Sequence, residues 1–407
     1  MGNPTVKQAF EYIKANKFSI TPEYLSNALL LPQLEVWFDV EYCTKSCDIC
    51  YGNYGPHRTP LKPDVVEKVM ESINETDIGM IWLGNGEPFH DFNILGNMLH
   101  QMRGFPVGID TNGYFATTYD DALRGLEFIK NHGYHVRPQK HRSLDSIVCS
   151  RIGVSADPSH GEESYGDAIN LGNAYLDVFS DELEKDHIND QVFVIAYTSD
   201  NDGTLKSLKS DFVFFERLII PLDDSRDWYE TGSKKDLDSK PAFAYFTENG
   251  ALLVSPTYIM PWGRGKVKLG WEKELIKTTE IGLKSEELPS VSVRPNGNVY
   301  MGHGQCIVEG RVVGNVFNSK FSEIIDDVSK DPFWQMYQAF ELRGVLEAIK
   351  LTGGPTEFLS ESECNVCIDV FSDREKINHY RNRFNKMVGG RNMVDFIMEL
   401  GLENNSR

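Results

Sequence analysis

No stretch of eighteen apolar residues occurs anywhere in the 407-residue chain, so it holds no segment suited to crossing a bilayer as a helix. The N-terminus also lacks the basic-then-apolar shape of a secretory signal. Positive charge is scarce: 41 Lys and Arg stand against 60 Asp and Glu, a formal charge of −19. Phosphate backbones are held by clustered Lys and Arg, so this balance excludes nucleic acid as the expected partner. Cysteine is sparse and odd in number, seven in all. In an unexported chain that count reads as thiol chemistry rather than a disulfide framework. These absences together predict a cytoplasmic protein that engages neither membrane nor nucleic acid.

What is present is ordinary in bulk and unusual in one place. Hydrophobic residues at 41% and charged residues at 25% are globular values, and the length allows two or three domains with a substantial core. The unusual place is Cys43-Thr-Lys-Ser-Cys47-Asp-Ile-Cys50, three cysteines at C-x3-C-x2-C directly after the apolar run Leu34 to Val40. Structural zinc takes four closed ligands, commonly as two separated C-x2-C pairs. Three clustered thiolates suit a four-iron cubane better, because they leave one iron open to bind and activate a ligand. A loop of reactive or zinc-bound thiols is the alternative.

From Leu34 onward, short apolar runs alternate with amphipathic helices, the pattern of βα units. Strands are expected at 34–40, 78–83, 105–110, 147–155 and 192–197, with a sixth within 212–262. Helices are expected near 62–74, 93–102, 118–133 and 163–184. Residues 1–33 read as an N-terminal cap. The 199–256 stretch is longer than one connection needs and reads as an insertion, a substrate lid over the mouth or a mere decoration.

Parallel α/β folds bind ligands at the carboxyl ends of their strands, and further motifs fall at such ends. After the second strand stands Gly84-Asn85-Gly86-Glu87-Pro88. Its glycines admit a ligand close to the backbone, and Glu87 offers an acceptor for an ammonium group. After the third stands Thr111-Asn112-Gly113, which doubles as a favoured turn. Following the fourth come Ser155 and Asp157, which also suit a helix N-cap. Met260-Pro-Trp-Gly-Arg264-Gly follows later, where Arg264 is either a carboxylate partner or a surface arginine. Downstream, Val291 to Tyr300 reads as a hairpin about Asn296-Gly297, followed by Cys306 and then Cys364-Asn-Val-Cys367.

The cysteine loop resembles the signature of the radical S-adenosylmethionine (SAM) enzymes, C-x3-C-x-(aromatic or apolar)-C, with Ile49 at the apolar position. The resemblance implies that Cys43, Cys47 and Cys50 hold a [4Fe–4S] cluster whose open iron is chelated by SAM. It implies further that SAM is cleaved to a 5′-deoxyadenosyl radical that takes hydrogen from the substrate. The segment from Gly84 to Pro88 looks like the family's G-G-E-P motif for the SAM amino group, with Asn85 replacing a glycine. By the same resemblance Gly86, Glu87, Asn112, Ser155, Asp157 and Arg264 would also contact SAM or substrate.

The C-terminal hairpin and cysteines are similar to a SPASM or shorter twitch extension. A full extension carries about seven cysteines, whereas only Cys306, Cys364 and Cys367 stand here. That leaves room for one auxiliary iron–sulfur cluster whose fourth ligand is His303, Asp369 or the substrate, or for a Cys3His zinc site on Cys306, Cys364, Cys367 and His303.

The expected architecture is therefore α/β: a partial (β/α)6 TIM-type barrel over 34–270, then a smaller α+β cluster-binding domain over 271–407. The expected activity is modification of a ribosomally made peptide by crosslinking, epimerisation or oxidation, with an electron donor such as flavodoxin or ferredoxin. Alternatives are a dehydrogenase, cyclase or mutase acting on a small molecule, and a non-catalytic iron–sulfur or zinc protein. No hydrogen-donor or base residue is assigned.

Overall fold

A computed structural model of the chain describes residues 34–47, 50, 52, 54–137, 139–140, 147–148, 150–156, 160, 163–185, 192–198, 217–221, 243–247, 250–256, 273–278, 290–302, 308–360, 363–391, 393 and 396. In chain order the first half runs β1 (Leu34–Asp39), α1 (Pro63–Met70), β2 (Ile78–Gly84), α2 (Phe92–Gln101), β3 (Val107–Thr111), α3 (Tyr119–Asn131), β4 (Gln139–Lys140), β5 (Ile147–Val148), β6 (Arg151–Ser155), α4 (Ser164–Lys185) and β7 (Val192–Thr198). The second half runs β8 (Arg217–Pro221), β9 (Phe243–Thr247), β10 (Gly250–Pro256), β11 (Glu274–Lys277), β12 (Ser290–Val293), β13 (Asn298–Met301), β14 (Val312–Asn315), α5 (Phe321–Lys330), α6 (Pro332–Leu351), β15 (Glu357–Ser360), α7 (Glu363–Ser372) and α8 (Arg374–Val388).

Local chemistry accounts for the element ends. Asp91 caps α2, accepting from the Asn93 and Ile94 backbone N–H groups, and the Thr118 hydroxyl accepts from Asp121 N at the start of α3. Pro63 and Pro332 open α1 and α6, where the missing N–H costs nothing. Gly389, at φ +63°, ends α8 in the left-handed conformation.

The strands form one eleven-stranded sheet in the order β14-β13-β12-β1-β2-β3-β6-β7-β10-β9-β8. From β12 to β10 all neighbours are parallel, and the flanking hairpins are antiparallel. Strands β1, β2, β3, β6, β7 and β10 follow one another in sequence order with no reversal, so successive connections carry the chain steadily across the sheet. The α/β class stands. Edge strands β14 and β8 do not pair with each other, so the described residues form an open sheet rather than a closed barrel.

Three boundaries differ from expectation. The fourth strand divides: Ile147 and Val148 pair with Gln139 and Lys140 in a separate small hairpin, and only Arg151–Ser155 enters the main sheet. Within 199–256, expected as an insertion or lid, β10 is the sixth parallel strand and β9 and β8 extend the sheet edge. The Asn296-Gly297 hairpin forms as read, with Gly297 at φ +79°. It belongs to the main sheet, however: β12 lies parallel beside β1, with Val36 opposite Val291 and Phe38 opposite Val293.

The sheet has two unlike faces. Side chains alternate along a strand, and Leu34, Val36 and Phe38 of β1, Ile81 and Leu83 of β2, Ile109 of β3 and Ile152 and Val154 of β6 join one apolar cluster. Val65, Val66, Leu95, Leu99, Leu126 and Leu171 from the helices complete it. On the opposite face stand Glu35, Trp37 and Asp39 of β1, Trp82 of β2, Asp110 of β3 and Arg151 of β6, by their positions in register. Trp37 and Trp82 stack at 4.7 Å between ring centroids, and the Arg151 guanidinium lies 4.4 Å from the Trp82 ring centroid. Among the described residues, no helix is long and apolar enough to cross a membrane.

Candidate active site

The site is built where β1, β2 and β3 end. Beyond β1 the chain turns at Glu41, held at φ +59°, and runs into the cysteine loop; beyond β2 it turns at Asn85, at φ +54°. The two turns are stitched together, Glu41 N donating to Asn85 O and Glu87 N to Tyr42 O, each at 2.8 Å. Gly86 lies at φ +153°, and a Cβ there would stand 2.6 Å from Tyr42 O and 2.8 Å from Glu41 N. The contact therefore requires glycine.

Asn85 occupies a left-handed position that most side chains resist, and its side chain is used to hold it. Its Nδ2 donates to Asp39 Oδ1 at 2.7 Å, both residues being buried. Glu41 is fixed in turn by an ion pair with Arg294, the residue after β12. Sequence reasoning missed Asp39, Glu41 and Arg294. The alternation Leu-Glu-Val-Trp-Phe-Asp was the available signal, since a strand apolar on both faces has no reason to alternate.

Glu87 is fully buried. Its carboxylate accepts from Asn112 N at 2.7 Å, Thr111 Oγ1 at 2.8 Å and Phe89 N at 3.0 Å. Burial nevertheless pushes its pKa up to about 7, with those bonds and the charge of Lys45 pulling the other way. A carboxylate so desolvated gains from a cationic ligand. Asn112 bridges to the loop, its Nδ2 lying 3.4 Å from Cys43 Sγ and 3.4 Å from Thr44 Oγ1. Lys45, between the first two cysteines, donates to the His160 carbonyl, tying the loop to the approach to α4.

Cys43, Cys47 and Cys50 are half-buried and outside any disulfide. Burial pushes the Cys43 thiol up to about 11, and the Tyr54 N–H donates to Cys50 Sγ at 3.3 Å. Among the described residues no three His, Cys, Asp or Glu side chains converge on one point, so the thiols share a loop without sharing a focus. As a donor set they still fit an iron–sulfur cluster: three thiols on one strand-end loop, with N–H donors aimed at two sulfurs.

Ser155 ends β6 and is half-buried, with Tyr197 opposite it in β7. Ile49, Asp157, Arg264, His303 and Cys306 lie outside the described residues. Cys364 and Cys367 fall one turn apart on α7, and Cys367 is 7% exposed within the apolar cluster. The structure thus unites Cys43, Cys47, Cys50, Asn85, Gly86, Glu87 and Asn112.

No protein-family model matches the chain, and no curated protein matches it. Among solved structures the chain is similar to Streptococcus suis SuiB bound to S-adenosylmethionine, at 12% identity and a TM-score of 0.35, over 74% of this chain and 68% of that one. SuiB bound to precursor peptide SuiA gives 11% identity and a TM-score of 0.39, over 84% and 78%. Native anSMEcpe with bound AdoMet and Cp18Cys peptide gives 11% and 0.36, over 91% and 99%. These are distant likenesses, and the functional reading rests on the residues of this chain.

Proposed function

We propose that the chain is a radical SAM enzyme that modifies a peptide. The observation that carries this is the convergence of three separated motifs: the cysteine loop after β1, Gly86-Glu87 after β2 and Asn112 after β3 are joined by hydrogen bonds at one end of three adjacent parallel strands. We read the sequential parallel strands as the wall of a partial barrel.

In this reading Cys43, Cys47 and Cys50 hold a [4Fe–4S] cluster, which would supply an electron to cleave bound SAM into methionine and a 5′-deoxyadenosyl radical. Glu87 accepts the SAM ammonium, and its raised pKa reflects a site completed by that cation. Gly86 brings the backbone close to the ligand. Asn112 positions the Cys43 thiolate and the Glu87 carboxylate together. Ser155 and Asp157 serve the ribose, Ile49 the adenine side of the loop, and Arg264 a carboxylate of SAM or substrate. The electron comes from a small redox protein such as a flavodoxin or ferredoxin.

The C-terminal region would hold an auxiliary cluster on Cys306, Cys364 and Cys367, with His303 in reserve. Support comes from the chain shortly after Cys306, which runs against α7: a Cβ on Gly310 would stand 2.3 Å from Phe371 O, and Arg311 lies 5.4 Å from the Phe371 ring centroid.

Anaerobically purified, reconstituted protein is expected to be brown and, with dithionite, to convert SAM to 5′-deoxyadenosine. Reconstituted protein that binds four irons at the loop yet yields no deoxyadenosine with any reductant would sink the proposal.

A further inference from the structure

At the opposite end of the same strands from the cysteine loop, the structure holds a cavity of about 510 Å³, a volume within the range of small-molecule sites and larger than a bare ion needs. It lies where helices end and strands begin. Met70 closes α1, Asn74 precedes β2, Gln101 closes α2, and Phe105 and Pro106 lead into β3. Because β2 is seven residues long, about 20 Å of strand separates this cavity from the turn that carries Glu87.

Its lining contains two guanidiniums, Arg103 and Arg137, and no carboxylate, in a chain with 60 acidic residues against 41 basic ones. Neighbouring acids are engaged elsewhere. Glu71 pairs with Lys68 at 2.6 Å, and Glu75 accepts from the Ser322 hydroxyl at 2.6 Å. Glu182 of α4 accepts from Val136 N at 2.8 Å and lies 3.0 Å from His135 Nδ1. The positive charge of the two arginines is therefore left facing the cavity.

Both arginines are placed by their surroundings. A Cβ on Gly133 would stand 2.6 Å from Arg103 Cγ and 2.8 Å from its Nε, so the bare glycine is the bed for the Arg103 stem. The bond from Val136 N to Glu182 pins the chain directly before Arg137. Two polar atoms of the lining remain unmatched: Arg137 Nε and Gln101 Oε1 are each buried with no hydrogen-bond partner among the described residues. Gln101 cannot relieve this by turning its amide, because its Nε2 donates at 3.3 Å to the Pro63 carbonyl, which only accepts. A buried guanidinium N–H calls for an acceptor, and a buried carbonyl oxygen for a donor. Arginines near helix C-termini can serve the last carbonyls instead, but Arg137 Nε donates to none.

We propose that this cavity binds a small organic anion. A carboxylate or phosphate sits on the two guanidiniums, a hydroxyl or N–H of the same molecule donates to Gln101 Oε1, and an apolar part lies against Met70, Phe105 and Pro106. Guanidinium forks match both oxyanions bidentately. The net charge of −19 disfavours anions wherever positive charge is not concentrated, so anion binding reports a local site. This site lies at the far end of the strands from the SAM turn, and the inference stands independently of the enzyme reading.

The test uses the full chain and three probes that share a ring and a hydroxyl donor: 3-hydroxyphenyl phosphate, 3-hydroxybenzoate and the neutral 3-hydroxybenzyl alcohol, read by saturation-transfer NMR at low ionic strength. We expect the better anion to bind about tenfold more tightly than the neutral probe, its identity naming the oxyanion the cavity takes. Arg137→Gln and, separately, Arg103→Gln should erase that preference while circular dichroism shows the fold intact. Arg124→Gln, at an exposed arginine of α3, should leave it unchanged. Equal affinity for all three probes, binding of none, a preference that survives Arg137→Gln in folded protein, or an equal loss in Arg124→Gln overturns the inference. Displacement of the bound anion by SAM would place the probe at the cysteine end and overturn it as well.

Discussion

The two groups of cysteines sit in opposite physical settings. Cys43, Cys47 and Cys50 occupy an irregular loop at a strand end, half-buried, with an amide or backbone N–H directed at two of the sulfurs. Cys364 and Cys367 are on a regular helix, and Cys367 is packed among Val366, Val370 and Phe371 in the apolar cluster. A thiol in a loop can turn toward a metal at little cost, whereas one locked in a helical core behaves first as a small hydrophobe. The difference teaches that spacing alone does not make cysteines equivalent, and that the loop carries the firmer assignment.

The largest effect expected concerns the loop. Replacing Cys43, Cys47 and Cys50 together with alanine should abolish 5′-deoxyadenosine formation, measured by chromatography; residual turnover would erase the contrast. Next comes iron content. Fully reconstituted wild-type protein should hold about eight irons, and Cys364→Ala with Cys367→Ala about four, with SAM cleavage still measurable. Four irons and one tightly held zinc in wild type would instead support the Cys3His site. Four irons, no zinc and a loss of about 1 kcal/mol of stability in the double variant would make Cys367 a core residue only.

A smaller effect sharpens the account of the loop's surroundings. Glu87→Ala should weaken SAM binding by about 1.5–3 kcal/mol, the worth of a charge-assisted hydrogen bond, with the loop cluster's absorption spectrum unchanged. A further test is a pH effect on the ligand-free fold. Asp110 ordinarily titrates near 3.8 and is raised to about 7, so the native state binds the extra proton between those values. Its contribution to stability is present below pH 3.8 and lost as pH rises through 7. Asp110→Asn should therefore flatten the fall in melting temperature between pH 5 and pH 7.5; an unchanged slope would assign that fall to other groups.

Much of this was legible before any coordinates. The βα alternation located five of the six sequential parallel strands and bracketed the sixth within 212–262, because buried strands and amphipathic helices carry different periods. The motifs at 43–50, 84–88 and 111–113 fell at strand ends as read. Less legible was what depends on partners distant in sequence. Residues 243–256 looked like an insertion, since a hairpin whose second strand joins the parallel sheet has the same local pattern as a lid hairpin. The 291–300 hairpin gave no sign that it would lie beside β1, because parallel register over that separation leaves no local trace. Asn85 looked like a departure from a glycine, and only the bond to Asp39 shows how asparagine is held there. The polar row through Trp37, Trp82 and Arg151 was hidden because β1 reads as an apolar run when its alternate positions are not separated.

The pairing of β12 with β1 has a consequence for biogenesis. Glu41, at the entry to the cysteine loop, is fixed by a residue 253 positions later in the chain. Such distant contacts close late, after the loop entropy between them has been overcome. On the ribosome the first three strands can emerge and collapse while the anchor for their shared turn is still untranslated. The thiols then wait, reduced and unfastened, until the chain is three-quarters made. Delivery of iron and sulfide to a nascent chain truncated before residue 290 should therefore fail where the full-length chain succeeds.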